Sequence, residues 1–377
     1  MKRAIIIGAG PAGLATAIAL RAVGFEAAVF ERAEVVREVG SGLTLWPNAM
    51  KALDHIGAAE AVRAVCQPLD GIALRSWRGE TLSATSGAVM ERYCGAPSAA
   101  LHRSEFIAVL LKLAGADVVT LAARCTGFRS DETGVTALFA DGREEHADLL
   151  IGADGIRSVI AAQLFGATKL RYAGYPVWRG ISDFELASGA GMTSMGPGAQ
   201  FGLFPMTRHR VYWFATFSAP EGRASRGEHA RVLLEHFGGW HAPIKAVIEA
   251  TDEAAIIVTD IYDRKPLQSW GRGRVTLVGD AAHPSTPNLG QGACQAIEDA
   301  VVLGACLSAH DDLPTALRAY EARRAPRANA MTIQARRMGQ MGQWRFQPIC
   351  WLRERMIKRT PAPVNLRFLQ WLCDFEV

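Results

Sequence analysis

Three short segments of the sequence place glycine beside residues that can bind a phosphorylated ligand. Gly8-Ala9-Gly10-Pro11-Ala12-Gly13 matches the pattern G-x-G-x-x-G, while Asp154-Gly155 and Gly279-Asp280 each add a carboxylate. Glycine allows a sharp turn and lets a phosphate approach bare backbone N–H groups. A carboxylate can accept hydrogen bonds from sugar hydroxyl groups. The chemistry predicted by these residue types is recognition of a nucleotide that carries a pyrophosphate.

The first segment lies inside a strand–turn–helix–strand unit. Arg3–Ile7 is a short apolar run typical of a buried parallel strand, Leu14–Val23 has a helical pattern, and Ala27–Phe30 reads as the next strand. The start of the helix presents free N–H groups to a pyrophosphate, and Glu31 can accept both ribose hydroxyls. The alternative is a glycine turn in an ordinary βαβ unit. The pattern does not separate NAD from FAD, because both contain an ADP half.

Composition limits the class of protein. The 377 residues are 49% hydrophobic and 21% charged, with a net charge of +4, as expected for a soluble globular chain with room for two domains. The seven cysteines contain no C-x-x-C pair, so neither a disulfide framework nor a metal site is predicted. No signal peptide and no run of about eighteen apolar residues is recognised, which predicts a cytoplasmic protein. The near-neutral charge argues against nucleic-acid binding.

A change in composition predicts a second domain. Between 171 and 263, aromatic residues crowd into strand-like runs, interrupted by one amphipathic helix at 228–237. We therefore predict an α/β fold in which a β-rich substrate domain is inserted into a discontinuous Rossmann-like domain. The predicted division is 1–70, 100–170 and 264–330 for the nucleotide-binding domain, 71–99 and 171–263 for the β-rich domain, and 331–377 for a C-terminal helical segment.

The three glycine segments are expected to meet at one place. Parallel strands of a doubly wound sheet end along a common edge, where ligands bind. Each of the three segments follows an apolar strand-like run. Asp154 and Asp280 could each be ordinary turn or cap residues. A Gly-Asp pair followed by Pro287-Asn288-Leu289-Gly290-Gln291-Gly292 is harder to explain in that way.

Together these motifs resemble the single-component FAD-dependent aromatic hydroxylases, the p-hydroxybenzoate-hydroxylase-like monooxygenases. The resemblance runs from residue 3 to about 337 and includes Gly152–Gly155 with Arg157-Ser158, and Gly279–His283. Arg171–Tyr175 and Asn288–Gly292 resemble the compact branch that contains urate, hydroxybenzoate and hydroxynicotinate hydroxylases and zeaxanthin-epoxidase-like enzymes. The resemblance implies an FAD-binding domain of the glutathione-reductase type.

The resemblance also implies roles for single residues around FAD. Asp280 would accept a hydrogen bond from the ribityl chain, and Arg103 would lie beside the pyrophosphate or the ribityl chain. Asp154 would contact the pyrophosphate region and the nicotinamide donor. The other implied cofactor contacts are Gly8, Gly10, Ala12, Gly13, Glu31, Arg32, Gly42 and Gly155.

The loop before the long helix at 293–309 is implied to face the flavin. Gly290, Gln291 and Gly292 would direct helix N–H groups at the N1–C2=O edge, where reduced flavin carries negative charge. Pro287 would lie over the isoalloxazine and take part in catalysis there. In the implied mechanism NADH or NADPH reduces FAD, O2 gives a flavin C4a-hydroperoxide, and its terminal oxygen attacks an electron-rich ring or double bond.

The substrate-side residues are predicted from spacing. Arg210 and Tyr212, two apart on one face of a predicted strand, could hold and deprotonate a phenol-like or acidic ring. The alternative is a surface arginine beside a half-buried tyrosine. Asn288 stands where urate-type members carry an acid, and because an amide cannot act as a base, urate is disfavoured. His283 is expected to be structural rather than a proton shuttle.

The predicted function is an FAD-dependent monooxygenase that hydroxylates or epoxidises an aromatic, heteroaromatic or polyene small molecule with NAD(P)H and O2. No second G-x-G-x-x-G is present, which favours transient donor binding. The alternatives are a flavin-dependent reductase or dehydrogenase, a halogenase, whose W-x-W-x-I-P motif is absent, or a non-catalytic FAD-binding protein. A monomer or a homodimer is expected.

The C-terminal segment is strongly basic. Residues 331–377 contain eight arginines or lysines and three acids, with tryptophan, phenylalanine and leucine interleaved. We expect an amphipathic helix whose apolar stripe packs across the two domains. A weak contact with a membrane surface is the alternative.

Overall fold

The computed structural model describes residues 1–35, 41–222 and 227–377. In chain order the strands of these ranges are β1 (Arg3–Ile7), β2 (Glu26–Phe30), β3 (Gly42–Leu45), β4 (Gln67–Pro68), β5 (Gly71–Ser76), β6 (Thr81–Ser86), β7 (Ala99–His102), β8 (Val119–Thr120), β9 (Cys125–Ser130), β10 (Val135–Phe139), β11 (Glu144–Ala147), β12 (Leu149–Gly152), β13 (Arg171–Asp183), β14 (Gly191–Gly196), β15 (Ala199–Met206), β16 (Arg210–Phe217), β17 (Ile257–Asp263), β18 (Gly271–Arg272) and β19 (Val275–Leu277).

The same ranges contain twelve α-helices. They are α1 (Pro11–Ala22), α2 (Pro47–His55), α3 (Ala59–Arg63), α4 (Gly87–Cys94), α5 (Arg103–Ala114), α6 (Val159–Phe165), α7 (His229–Phe237), α8 (Ile244–Glu249), α9 (Gly292–Ala309), α10 (Leu313–Gly342), α11 (Gln347–Arg359) and α12 (Ala362–Cys373). Short 3-10 turns lie at Ala116–Val118, Glu253–Ala255, Gly279–Ala281 and Pro287–Leu289.

Six of the described strands form a mainly parallel sheet in the order β18-β19-β12-β1-β2-β8, in which only β18 runs antiparallel to its neighbour. The apolar strands β1, β12 and β19 are buried, because helices cover the sheet. Their register pairs Ile7 with Gly152 and Gly152 with Leu277. The three strands therefore end side by side, as predicted from the glycine segments that follow them.

A second sheet, mixed and mainly antiparallel, joins seven described strands in the order β17-β13-β16-β15-β14-β5-β6. Side chains alternate across it, as the period of a strand requires. On β16, Val211, Trp213 and Ala215 are buried in a core that also contains residues of α7 and α8. The intervening Tyr212 and Phe214 point to the opposite face. This alternation leaves one face of the sheet free to bound a cavity.

Two long helices close the parallel sheet. Helix α9 packs against α1, α2 and α10. By length and composition it is the one helix of the described ranges apolar enough to cross a membrane, but 72% of that window is buried inside the protein, as in a core helix. Helix α10 is long and continues through Pro326 to Gly342.

The C-terminal segment forms two helices that pack on different parts of the fold. Helix α11 packs on β6, whereas α12 packs on α4 and α2. Arg353 of α11 is buried and donates to the carbonyl oxygens of Met341 and Gly196, at 3.0 and 3.2 Å. The apolar stripe predicted for one C-terminal helix is therefore divided between α11 and α12.

Candidate active site

A cavity of about 450 Å³ lies between the carboxyl edge of the parallel sheet and the free face of the seven-stranded sheet. On one side it is lined by Gly10, Gly155 and Asp280, one residue from each glycine segment. On the other side it is lined by side chains such as Tyr212 and Phe214. The fold thus brings together positions that are hundreds of residues apart in the sequence.

The three glycines of the G-x-G-x-x-G motif are constrained differently by their surroundings. Gly8 has a φ of +109°, and a Cβ there would lie 2.5 Å from the carbonyl oxygen of Ala153. A Cβ at Gly13 would lie 1.9 Å from the carbonyl oxygen of Gly8. At Gly10 a Cβ would meet no described atom within 4 Å. Gly8 and Gly13 are therefore required by close backbone packing, whereas Gly10 leaves open space at the cavity.

Glu31 binds the glycine turn directly. Its Oε2 accepts a hydrogen bond from the Ala9 N–H at 2.9 Å, and its Oε1 accepts one from the Ala33 N–H at 3.0 Å. Each carboxylate oxygen has a second lone pair, so these bonds leave acceptor capacity for a ribose. Arg32 is exposed and does not line the cavity, and its contact with a cofactor stays a prediction.

Asp154 lies behind the cavity wall, whereas its neighbour Gly155 lines it. Asp154 Oδ2 accepts from the Val159 N–H at 2.7 Å and so binds the start of α6. Its Oδ1 is buried and has no hydrogen-bond partner among the described residues. Burial raises the pKa of Asp154, and hydrogen bonds from Ser158 and Val159 oppose that shift. Buried polar atoms in folded proteins usually have a hydrogen-bond partner, and at this edge of the parallel sheet Asp154 Oδ1 lacks a donor among the described residues.

The opposite charges of Asp280 and Arg103 interact at the cavity. Both side chains line it. Burial raises the pKa of Asp280, and electrostatic interactions with His283 and Arg103 oppose the shift. Burial lowers the pKa of Arg103, and Asp280 opposes that shift. The pair offers an acceptor for hydroxyl groups and a cation for phosphate oxygens at one position.

The loop before α9 lines the cavity mainly with backbone. Pro287, Gly290 and Gly292 are at the wall. Gly290 has a φ of +63°, and a Cβ there would lie 2.7 Å from Trp46 Nε1. The Gln291 side chain points away from the cavity, where its Oε1 accepts from Asn48 Nδ2 at 2.9 Å. The Gln291 side chain is therefore not part of the cavity lining, and a contact of its backbone with a cofactor stays a prediction.

A buried polar network lies under this loop. Asp299 Oδ2 accepts from His283 Nε2 at 2.6 Å and from the Gly279 N–H at 2.8 Å, and Arg324 Nε donates to Asp299 Oδ1 at 2.8 Å. Arg324 also pairs with Glu298. Burial would raise the pKa of Asp299, but His283 and Arg324 hold it below its usual value. His283 therefore supports the Gly279-Asp280 turn as a structural residue.

Sequence analysis did not predict this network. Glu298 and Asp299 are adjacent acids inside the otherwise apolar pattern of α9, and that anomaly was the available signal. Charged side chains on a buried helix need partners, which α10 supplies here. Among the described residues, no cluster of three or more histidines, cysteines or acids could hold a metal ion.

The two predicted substrate-side residues are separated by the structure. Tyr212 lines the cavity, and its ring fills the space left by Gly42, where a Cβ would lie 2.1 Å from Tyr212 Cγ. Arg210 lies at the end of β16 outside the cavity lining, with Nη2 3.2 Å from Glu105 Oε1. The arginine that lines the cavity instead is Arg179 of β13, which sequence analysis did not select.

Arg179 and Tyr212 affect each other electrostatically. Burial raises the pKa of Tyr212, and the guanidinium groups of Arg179 and Arg103 oppose that shift. Within the described ranges, no side chain forms a hydrogen bond or an ion pair with Arg179. Tyr212 is thus a protonated phenol at neutral pH and a hydrogen-bond donor, beside a cation that has no partner of its own.

Amide and apolar groups complete the substrate side. Asn288 and Gln200 line the cavity, and Asn288 Oδ1 accepts from the Tyr175 hydroxyl at 2.5 Å. The apolar wall comes from residues such as Val177 and Phe204. This side combines an apolar wall with a few directed polar groups, as binding sites for small ring compounds do.

Comparisons with known proteins agree with this geometry. Residues 1–335 match the family model described as an FAD binding domain. The chain is 44% identical over 356 residues to the aurachin C monooxygenase/isomerase of Stigmatella aurantiaca, covering 94% of this chain and 93% of that protein. It is 36% identical to the 3-amino-4-hydroxybenzoate 2-monooxygenase PtnB3 of Streptomyces platensis, covering 99% and 96%. The solved structure of Klebsiella pneumoniae HpxO complexed with FAD and uric acid superposes with a TM-score of 0.92 at 32% identity, covering 99% and 96%.

Proposed function

This chain belongs to the FAD-dependent aromatic hydroxylase family, and we propose that it uses NADH or NADPH and O2 to hydroxylate or epoxidise an aromatic, heteroaromatic or polyene small molecule bound against Tyr212. Membership confirms the predicted family, the α/β fold class and the monooxygenase class, and gives no support to the reductase, halogenase or non-catalytic alternatives. The observation that carries the proposal is the single cavity shared by the glycine segments and the free sheet face.

The residues at the carboxyl edge fit FAD. Gly10 leaves space where a pyrophosphate can approach the start of α1, and Asp154 Oδ1 is a buried acceptor without a partner in the described chain. Gly10, Ala12 and Gly155 would hold the pyrophosphate region, while Asp280 and Arg103 would hold the adjoining hydroxyl and phosphate groups. When bound, FAD supplies the two-electron redox chemistry and the activation of O2.

The start of α9 would stabilise negative charge on the bound ring system. Gly290 and Gly292 line the cavity, and α9 begins at Gly292. The first N–H groups of a helix lack partners inside the helix and form its positive dipole end. Because the loop is fixed by the Asp299 network below it, these donors are held in place before the ligand arrives.

Tyr212 and Arg179 would orient the substrate. The raised pKa of Tyr212 keeps its hydroxyl protonated, so it donates a hydrogen bond instead of acting as a base. Arg179 adds a cation on the same side of the cavity. The substrate is therefore a ring that presents an oxygen atom with negative or partial negative charge to these donors. Apolar neighbours such as Val177 and Phe214 exclude water from that ring.

Uric acid is not the proposed substrate of this chain. Asn288 carries an amide, and its Oδ1 already accepts from Tyr175. An amide cannot take up a proton as a carboxylate does. The bound uric acid belongs to HpxO, and a ring that needs no carboxylate base at this position fits the present cavity better.

The proposed function is tested by NADH and NADPH oxidation in air, with and without single ring compounds. The panel contains 3-amino-4-hydroxybenzoate, 4-hydroxybenzoate, 4-hydroxyquinoline and urate. We expect at least one compound other than urate to stimulate oxidation and to gain one oxygen atom from isotopically labelled O2. A reductase would change a compound without taking up the label. Donor oxidation that no ring compound stimulates, with no labelled product, would contradict the proposal.

Replacing Arg179 should weaken the binding of anionic rings. The Arg179→Gln variant is expected to bind 4-hydroxybenzoate about tenfold more weakly than wild type, because a charge-assisted hydrogen bond is lost. Binding of the neutral 4-hydroxybenzamide should change less. The measurement is the perturbation of flavin absorbance on titration of the holoenzyme.

Arg210→Gln is the matched control for this experiment. Its guanidinium pairs with Glu105 outside the cavity lining, so the affinity for 4-hydroxybenzoate should stay within about twofold of wild type. If Arg210→Gln weakened binding and Arg179→Gln did not, the sequence-based choice of Arg210 would be right and the cavity-based choice of Arg179 wrong.

A further inference from the structure

We propose that helices α11 and α12 present a docking surface for a membrane that contains anionic lipids. The surface, called here the α11–α12 face, is defined by Trp351, Leu352, Arg355, Met356, Arg359 and Val364. These residues line an open groove of about 720 Å³ between the two helices. The proposal does not depend on the catalytic function.

Large apolar side chains are exposed on this face. Trp351 is 58% exposed, Leu352 51% and Met356 64% on α11, and Val364 of α12 is 51% exposed. Single exposed apolar residues are common, but a contiguous group of this kind marks an interaction site. The α11–α12 face therefore has an apolar centre whose exposure to water is unfavourable.

The same face is positively charged. Arg355 and Arg359 are one helical turn apart on α11, and the Arg355 guanidinium lies 4.8 Å from the centre of the Trp351 ring. The one acid of α11, Glu354, keeps 21% of its side chain exposed and lies 4.0 Å from Arg353 on the inner side. Arginines that flank tryptophan, leucine and methionine are the composition of helices that lie in an anionic lipid surface.

Contacts on the opposite side of α11 keep the α11–α12 face exposed to solvent. Arg353 is buried and donates to Met341 and Gly196, and Lys358 pairs with Glu80 near β6. Cys350 is also buried on that side. With these anchors made, α11 cannot turn its apolar residues inward without breaking them. The fold itself therefore keeps the apolar residues of the α11–α12 face exposed.

A second copy of the chain fits this face less well than a lipid surface does. Symmetric pairing would bring Arg355 and Arg359 of two copies together, and the face contains no acid to pair with them. Phosphate and carboxylate groups of anionic lipids would instead neutralise both arginines, while the apolar centre enters the boundary of the acyl chains.

The test is co-sedimentation of the holoenzyme with vesicles. One set contains phosphatidylcholine alone, and the other contains phosphatidylcholine with phosphatidylglycerol. We expect at least tenfold stronger binding to the anionic vesicles at low salt and a loss of that binding as salt is raised. Failure to sediment with either vesicle would overturn the proposal.

Two double variants separate the contributions to binding. Arg355→Gln with Arg359→Gln should weaken anionic-vesicle binding roughly tenfold or more, and Trp351→Ser with Met356→Ser should weaken anionic-vesicle binding at low salt without removing its salt dependence. The matched control, Arg272→Gln with Arg337→Gln, removes two exposed positive charges elsewhere and should retain binding. FAD content and melting temperature, measured on each variant, report correct folding.

Two results would count against the lipid surface. An equal loss in the control variant would mean that net charge, and not this face, drives vesicle binding. A dimer in gel filtration that the Trp351→Ser and Met356→Ser variant dissociates, without vesicle binding by the wild type, would assign the face to a second copy of the chain.

Discussion

The Asp280→Ala variant is expected to purify with little bound FAD and to bind added FAD more than tenfold more weakly than wild type. The Asp280 carboxylate lies at the end of the third glycine segment and lines the cavity beside Arg103. A hydrogen bond to a charged group contributes about 1.5–3 kcal/mol, which corresponds to an affinity change of at least about tenfold. Flavin absorbance per protein and a titration of the apoprotein with FAD measure the effect.

Two further variants show why FAD would be lost. Asp280→Asn retains an acceptor oxygen without the charge and should bind FAD with intermediate affinity. Asp311→Ala removes an exposed acid that does not line the cavity and should purify with wild-type flavin content. Equal flavin content in Asp280→Ala and wild type would show that Asp280 does not bind the cofactor.

The Arg324→Met variant is expected to lose about 3–5 kcal/mol of unfolding free energy, because it leaves buried carboxylates without their cation. Arg324 is 2% exposed, its Nε donates to Asp299 Oδ1 at 2.8 Å, and it also pairs with Glu298. Methionine can replace the volume of the stem but not the hydrogen bonds. Urea denaturation of wild type and variant at neutral pH measures the difference.

The loss should depend on pH with a definite sign. Asp299 has a folded-state pKa below its usual value, so its charge stabilises the fold above the unfolded-state pKa of about 4. That contribution fades as pH falls through the lower folded-state pKa. The deficit of Arg324→Met should therefore shrink in acid.

Arg337→Met is the matched control for Arg324→Met. Arg337 lies on the same helix, and its side chain is exposed. Its replacement should change the unfolding free energy by no more than about 0.5 kcal/mol. If both variants lost the same stability, helix propensity or net charge would explain the effect and the buried network would not.

The edge of the parallel sheet was predictable because its signals are local. Each of three apolar runs is followed by a glycine segment, two of these segments carry an aspartate, and parallel strands end together. The register of Ile7, Gly152 and Leu277 places those ends side by side. No long-range information was needed beyond the rule for parallel strands.

The substrate side could not be predicted in the same way. The two-residue period correctly placed Arg210 and Tyr212 on one face of a strand, but it does not say where the cavity ends along that strand. Glu105 of α5 forms an ion pair with Arg210 at the end of the strand. Arg179 enters the cavity wall because β13 pairs with β16 and sets Arg179 opposite Phe214. That pairing joins residues that are 35 positions apart in the sequence, so no local sequence pattern predicts it.

The orientation of Gln291 shows a similar limit. The motif identified a loop that opens a helix, and its glycines do line the cavity. The side chain of Gln291 instead turns toward Asn48, which is 243 residues away in the sequence. A motif gives the position of the backbone, whereas partners supplied by distant segments decide where a polar side chain points.

The most direct measurement of the central claim is a titration of the full chain with FAD. That claim is that three distant glycine segments form one cofactor site at the edge of the parallel sheet. The expected result is a yellow protein that saturates at one FAD per chain, with affinity reduced by Asp280→Ala. A colourless protein that binds no added FAD would contradict it.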